Sequence, residues 1–330
     1  MDGLWSGDAW MAAMRRGDFS AAWSISDGVL AERRARGDTC WHWPRHRQFV
    51  WSGAPLARRR VLVRCYHGLG DTLQFIRFAA PLRRIAAHVA VWVQPALLPL
   101  VATASGVDVV LPLHDGTPDV GYDVDIEIME LAHALRVTPA TLGPVPYLFP
   151  QRTTACLRSA RSAEARAPRP RRIGFVWKAG GWDPERSIAT DAMAALFARL
   201  ARRGIEPLVL QRGLAADDLA ALPARDIGSD DVVVTANRMR ALDLIVSVDT
   251  MPAHLAGALG LPCVTLLRDD CDWRWMRGRD DTPWYPTMRL VRMPPDGGWA
   301  DVLARLETLL DDPDERSGNH RSEQTLAKRT

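Results

Sequence analysis

Four stretches place acids, bases, glycines or aromatics at spacings that could do chemistry. In one, the apolar run Leu244-Ile245-Val246 leads through Ser247-Val248 to Asp249 and Thr250. Such a run reads as a strand covered on both faces. Thr250 suits the N-cap of a following helix, Met251 opens it, and Pro252 falls in the first turn, where a missing N–H is tolerated. Ala253, Gly257 and Ala258 are small enough to let that helix lie close to a sheet, and Gly260 and Pro262 stop it before a second strand, Cys263 to Leu267. A helix N-terminus offers free N–H groups, so this one, flanked by Asp249 and His254, suits a phosphorylated, hydroxyl-rich ligand. Asp249 can accept from hydroxyls and His254 can donate to a phosphate. Capped-helix packing with a satisfied histidine accounts for the same residues about equally well.

The second stretch is His67-Gly68-Leu69-Gly70-Asp71. Gly68 and Gly70 let a strand-to-helix turn run tightly and bring backbone N–H groups towards a ligand. Asp71 is then either an N-cap or a general base that takes the proton of an attacking hydroxyl. The third is Lys178 to Ser187, a glycine-containing loop in which Lys178 and Arg186 could reach a diphosphate, one as a point charge and the other as a fork. A mobile surface loop explains it too. The fourth runs from Asp272-Trp273-Arg274-Trp275 to Pro283-Trp284-Tyr285-Pro286. Its Asp272, Trp273 and Trp284 are candidate nucleobase or cleft contacts, as are Trp177 and Gln211 at the ends of two strands, although packing of a seam serves each aromatic as well. Asp123-Val124-Asp125 has the form of a metal-binding acid pair, but it lies on one exposed face of a period-2 strand, and no metal site is expected. No HExxH, Walker A or GxSxG motif occurs.

These residues need a scaffold, and the pattern around them alternates strands and helices. Strands are expected at Arg60–Cys65, His88–Val93, Val107–Leu111 and Tyr122–Ile128, with helices at Thr72–Ile85 and Pro95–Ala104. Residues 151–170, rich in Arg, Ala, Ser and Pro, read as a linker. The alternation restarts with strands Arg172–Trp177 and Glu206–Gln211 and helices Thr190–Arg203, Ala215–Leu222, Asp231–Arg240 and Trp299–Leu310. The fold class is therefore α/β: two halves, 51–150 and 171–312, each with a parallel sheet, facing across a cleft at the carboxyl ends of their strands. Before them, residues 1–50 resemble one helical hairpin of the tetratricopeptide type, with Trp41, Trp43 and Trp51 as candidates for docking it. Residues 313–330 are polar and expected to be disordered.

Composition narrows the class. The 330 residues are 47% hydrophobic and 25% charged, with a net charge of +3, so nothing calls for nucleic acid. Basic clusters at Arg58–Arg60 and between Arg158 and Arg172 read as solvated segments, with contact to an anionic membrane surface as the alternative. Five scattered cysteines without CxxC spacing argue for a reducing compartment. No segment approaches the ~18 apolar residues of a membrane span and the first residues lack signal-peptide order, so a cytoplasmic location is expected, peripheral membrane contact included.

Four segments together resemble the glycosyltransferase domain of bacterial tetratricopeptide-repeat proteins, which is similar to glycosyltransferase family 9, the heptosyltransferases. They are RRVLVRCYHGLGDTLQFIRFAAPL, RRIGFVWKAGGWDPERSI, LDLIVSVDTMPAHLAGALGLPCVTLL and DWRWMRGRDDTPWYPTMRLVRM. The resemblance implies a GT-B fold with an acceptor-side first half and a donor-binding second half. It also implies inverting, metal-independent transfer of a sugar from a nucleotide-diphosphate donor, which is a co-substrate; no cofactor is implied. The acceptor would be a hydroxyl of a lipopolysaccharide or other cell-surface glycan, lipid-linked or protein-borne. Asp71 matches the proposed general base, Asp249, Thr250 and His254 match the donor-binding turn, and Arg186 and Lys178 fall where basic residues meet the phosphates. The hairpin is shorter than the repeat arrays of such proteins, and the loop KAGGWDPERS differs from the usual one, so the donor sugar stays open. A non-catalytic nucleotide-sugar or glycan-binding module, a protein O-glycosyltransferase and a sugar-nucleotide epimerase are the alternative readings.

Overall fold

Two sets of aliphatic runs become two parallel sheets. In the computed structural model, which describes residues 7–151, 170–181 and 183–311, β1 (Arg60–Arg64), β2 (His88–Val93), β3 (Val109–Pro112) and β4 (Val124–Glu127) pair in the order β3-β2-β1-β4. The second sheet holds β5 (Arg171–Val176), β6 (Ile205–Val209), β7 (Arg225–Asp226), β8 (Leu244–Val248), β9 (Cys263–Leu267) and β10 (Met288–Arg292) in the order β10-β9-β8-β5-β6-β7. Each pairing is parallel, so helices must cross over and cover the faces. The proposed linker, 151–170, and tail, 313–330, lie almost wholly or wholly outside the described residues.

Strand order decides where a ligand can sit. The chain steps outward from β1 through β2 to β3 and then returns to the other side of β1 as β4. In the second sheet it steps from β5 to β7 and returns beside β5 as β8. Crevices open at such reversals, outside the carboxyl ends of the flanking strands. The turn after β1 carries Gly68 to Asp71. The loop after β5 carries Lys178 to Arg186, and the turn after β8 carries Asp249 and Thr250.

Two expected helices are interrupted, and both contain proline. The segment expected over Thr72–Ile85 starts early, at Leu69, runs to Phe75, passes through a 3₁₀ turn at Ile76–Phe78 and resumes at Ala79–Ile85. Pro81 has no N–H to offer the Arg77 carbonyl and its ring crowds that group, so the ladder cannot be continuous. Pro99 acts likewise on Pro95, where a 3₁₀ turn over Pro95–Leu97 precedes a helix over only Leu98–Val101. The helices Thr190–Arg202, Val232–Met239 and Trp299–Asp311 match their expected positions closely.

The hairpin comprises helices Asp8–Arg15 and Phe19–Arg36. Phe19, Ala22, Trp23, Ser26 and Leu30 form a buried stripe at helical spacing. Trp41 and Trp43 contribute little burial, at 54% and 36% exposed, although the Arg64 guanidinium of β1 lies 5.4 Å from the Trp41 ring centre. The hairpin's own aromatics make the buried contacts: Trp10 meets Trp273 edge-on at 5.3 Å, and Phe19 stacks on Trp284 at 5.6 Å. Trp23 donates through Nε1 to the Val137 carbonyl at 2.6 Å, so the hairpin touches both halves. Trp51 does contribute, half-buried and edge-on to His133 at 5.6 Å. Beside it, Glu130 Oε2 accepts from the N–H groups of Val50, Trp51 and Glu127 at 2.9–3.0 Å, stitching the segment after the hairpin to the first half.

One apolar cluster runs from the hairpin through the first sheet to one side of the second, taking in Trp10, Val63, Phe75, Leu255 and Trp284. A separate cluster, with Ile173, Phe197, Val246 and Leu306, fills the other side of the second sheet. Among the described residues no helix is long and apolar enough to cross a membrane.

Candidate functional site

The turn after β1 folds around Asp71. Gly68 occupies the N-cap and donates its N–H to Asp71 Oδ2 at 2.8 Å. Asp71 is therefore the third helical residue and not the N-cap, reaching back to the cap as in half of a capping box. Glycine has no side chain to supply the other half. His67, in the same turn, lies 2.9 Å from the buried Glu127 of β4. Burial opposes its charge, but Glu127 outweighs that and lifts His67 above the usual histidine range.

Gly70 faces the opposite half. A Cβ on it would stand 2.7 Å from His254 Cδ2, so the helices Leu69–Phe75 and Met251–Ala258 approach as closely as they do only because residue 70 lacks a side chain. His254 is buried, stacked on Trp275 with ring centroids 5.4 Å apart, and its Nδ1 lies 2.9 Å from the Tyr285 hydroxyl. Burial, with Arg274 nearby, pushes it down to about 3, so the ring is neutral at physiological pH. Thr250 does hold the N-cap position, with extended backbone, but its side chain makes no capping hydrogen bond.

Arg274 joins the two halves. This buried arginine pairs with Asp71 Oδ1 on one side and with Asp272 Oδ2, at 2.9 Å, on the other. Its guanidinium also lies 4.8 Å from the Trp273 ring centre. Burial works against its charge, and the carboxylates of Asp272, Asp71 and Asp249 more than offset that. Both oxygens of Asp71 are thus engaged, one by the Gly68 N–H and one by Arg274. Each still has a lone pair for a third donor.

Asp272 and Asp249 line a cavity of about 220 Å³ at the carboxyl ends of β8 and β9. Burial, and then the neighbouring Asp272, push Asp249 up to about 6. Arg186 enters the cavity from the loop after β5. Its Nη1 donates to the Asp249 carbonyl at 2.9 Å and lies 3.8 Å from Asp249 Oδ2. Arg268, directly after β9, adds a second guanidinium, paired with Glu185 at 2.6 Å and Asp183 at 3.6 Å. Arg15 of the hairpin adds a third.

The expected set is thus partly assembled. Arg186, Asp249 and Asp272 share the cavity, and Asp71 connects to it through Arg274. Lys178 does not line it; its ammonium lies 3.8 Å from Asp218. Gln211 is a clamp, its Oε1 accepting from the N–H groups of Trp177 and Lys178 at 3.0 and 2.8 Å. Trp177 is fully buried against Phe197. Trp273 and Trp284 are buried in the seam between the hairpin and the two halves, packing where a nucleobase contact was the other option. Asp123 and Asp125 are taken by Arg60 and Arg64, each at 2.8 Å, and the Arg60 hydrogen bond holds Asp123 down at about 2. Among the described residues no group of three or more His, Cys, Asp or Glu side chains is arranged to hold a metal ion.

Sequence reasoning missed Arg15, Arg268, Cys271 and the role of Arg274. Arg268 carried a usable signal, since it directly follows a buried parallel strand as Asp249 does. Arg15 carried none: its partner Asp270 is 255 positions away.

The chain matches no protein-family model. It is 23% identical over 308 residues to Protein FlbA of Caulobacter vibrioides, covering 79% of this chain and 48% of that protein, so the chain spans about half the length of this curated relative. Among solved structures, heptosyltransferase II of E. coli is 15% identical, covers 76% of this chain and 98% of its own, and superposes with a TM-score of 0.48. The glycosyl transferase family 9 structure from Veillonella parvula is 13% identical, covers 79% of this chain and 92% of its own, and superposes with a TM-score of 0.55. At that identity the likeness is one of fold, and the two parallel α/β halves described above have the GT-B arrangement of a family 9 glycosyltransferase.

Proposed function

We propose that this protein is an inverting glycosyltransferase that moves a sugar from a nucleoside-diphosphate donor to an acceptor hydroxyl. The observation that carries the reading is the meeting of two strand-to-helix turns, each at a reversal of strand order. Asp71 on one is joined through Arg274 and Asp272 to a cavity beside Asp249 on the other, lined by three arginines and four aspartates. In this reading Arg186 and Arg268, with the helix start at Thr250 and Met251, hold the donor diphosphate and stabilise it as it leaves. Asp249 accepts from donor hydroxyls. Asp71 takes the acceptor proton through a free lone pair as the acceptor oxygen attacks the anomeric carbon. His254, neutral and fixed by Tyr285, positions the two turns through Gly70 and does not carry charge to the phosphates. The acceptor class follows the resemblance, a cell-surface glycan precursor.

The test combines binding and turnover. A panel of nucleotide sugars is screened by thermal shift, since a ligand bound only to the folded state must raise its melting temperature. The best donor then enters a product-detected transfer or hydrolysis assay with the wild type and Asp71→Asn. Donor binding with turnover lost in Asp71→Asn supports the proposal. If no nucleoside diphosphate or nucleotide sugar shifts melting, the transferase reading is wrong. Turnover retained in a folded Asp71→Asn variant overturns the general-base role. The pairing of Asp71 with Arg274 favours one second reading, a module that binds donor without turnover; binding with no product from the wild type would establish it.

A further inference from the structure

The helical hairpin lies outside both α/β halves, yet its first helix ends at the cavity. Arg15, the last residue of that helix, donates through Nη2 to Asp270 Oδ1 at 2.9 Å and to the Cys271 carbonyl at 3.4 Å. Its Nε is buried and has no hydrogen-bond partner among the described residues. The Arg277 N–H donates to the Arg15 carbonyl at 3.0 Å, so the loop that carries Asp272 and Arg274 is tied to the hairpin at this residue. A Cβ on Gly17, in the turn after it, would lie 3.5 Å from Met276 Sδ of the same loop.

We infer that Arg15 is a third cation of the donor pocket, placed with Arg186 and Arg268 to hold the diphosphate of a nucleotide sugar, which makes the hairpin a wall of that pocket. The inference rests on the donor reading of the cavity given above. Size supports a phosphate subsite: whole-ligand pockets usually enclose roughly 300–1,000 Å³, and this cavity of about 220 Å³ suits part of a nucleotide sugar. Chemistry supports it as well. Arginine forks match phosphate oxygens bidentately, and three of them converge here from three separate elements. The present partner of Arg15 is easily exchanged. The Asp270 side chain is 74% exposed, and an ion pair in solvent of that kind is worth little, so a diphosphate can replace it. The Arg15 side chain, by contrast, is only 26% exposed, with its Nε buried.

The test uses the full chain and measures binding of ADP, GDP, UDP and inorganic pyrophosphate by calorimetry, with the free nucleosides as uncharged controls. Arg15→Gln should weaken the tightest diphosphate, and pyrophosphate, about tenfold or more, as expected for loss of a charged hydrogen bond. The free nucleosides should not distinguish the variant from the wild type. Asp270→Asn separates contact from anchoring. If Arg15 meets the ligand, freeing it from Asp270 leaves diphosphate binding unchanged or tighter. If the Arg15–Asp270 pair only anchors the loop, both variants weaken binding alike, and the inference is overturned. Should Arg15→Gln fail to fold, Arg15→Lys, which keeps the charge without the fork, should still bind more weakly than wild type; binding equal to wild type would count against the contact. Arg186→Gln is the reference. Loss with Arg186→Gln but none with Arg15→Gln overturns the inference alone, whereas a wild type that binds no diphosphate overturns the donor reading together with it.

Discussion

The contact between Gly70 and His254 sets how closely the two halves meet, and Gly70→Ala tests it. A Cβ at residue 70 would lie 2.7 Å from His254 Cδ2, about 1 Å inside the usual carbon–carbon optimum. The ring has nowhere to retreat. Trp275 covers its face, Tyr285 holds Nδ1, and Tyr285 is itself backed by Gly257, where a Cβ would meet its ring at 2.3 Å. Overpacking of a closed core costs about 1–3 kcal/mol. Alanine regains up to about 1 kcal/mol by its better helix propensity, leaving a net loss of up to about 2 kcal/mol. For a chain of this size that lowers the melting temperature by up to roughly 3 °C. The assay is thermal and urea unfolding of Gly70→Ala, His254→Ala and the double variant. With the ring gone, the alanine should be neutral or stabilising, so the double variant should show a coupling of at least ~0.5 kcal/mol. A Gly70→Ala protein that melts above the wild type, or that loses the same stability without His254, would refute the account.

Three further outcomes follow from buried groups. Asp249 stands at about 6 because burial disfavours its charge, so it loses a negative charge beside the diphosphate site as pH falls through 6. Binding of a nucleotide sugar, whose esterified phosphates do not titrate there, should tighten between pH 8 and pH 5, and Asp249→Asn should flatten that profile; weaker binding at low pH would contradict it. Burial also raises Glu130 from 4.5 to about 7, even though three N–H groups favour its anion. The folded protein then holds this proton where the unfolded chain has lost it, so a stability advantage present below pH 4.5 disappears as pH rises to 7. Glu130→Gln should remove that slope, on the order of 3 kcal/mol; urea titrations at several pH values showing wild-type slope in the variant would exclude Glu130 as its source. Trp284, buried against Phe19, Phe75 and Phe78, should cost about 3–5 kcal/mol when replaced by alanine and loosen the hairpin, read as faster proteolysis within residues 8–36.

What the sequence made legible was what local pattern controls. Buried strands such as Leu244–Val248 and Cys263–Leu267 announce themselves as aliphatic runs because both faces are covered. The edge strands Arg225–Asp226 and Met288–Arg292 did not. The first is two exposed residues, and the second interleaves arginines with its apolar positions. The turn residues Gly68, Asp71 and Asp249 were found because glycine and acid at a strand end have few local explanations. Their partners were harder. Arg274 drew notice for its tryptophan neighbours, while the carboxylate it meets, Asp71, is 203 positions away. Lys178 sits beside a strand end as the phosphate reading required, but Asp218, on a helix that the sequence placed with no relation to it, holds its ammonium. Trp41 and Trp43 remain largely at the surface, Trp41 meeting the Arg64 guanidinium. The buried docking face belongs to Trp10, Phe19 and Trp23, on the inner stripes of the two hairpin helices.

The shared apolar cluster has a consequence for how the molecule comes apart. Domains that touch through small polar interfaces unfold separately and hinge freely. Here the hairpin, the first half and the inner face of the second half draw on one continuous set of buried aromatics. A hinge that swung the halves wide would put Phe75, Trp273 and Trp284 into water at once. The cluster therefore opposes wide hinge opening, and calorimetry should register the hairpin and the two halves melting in one transition.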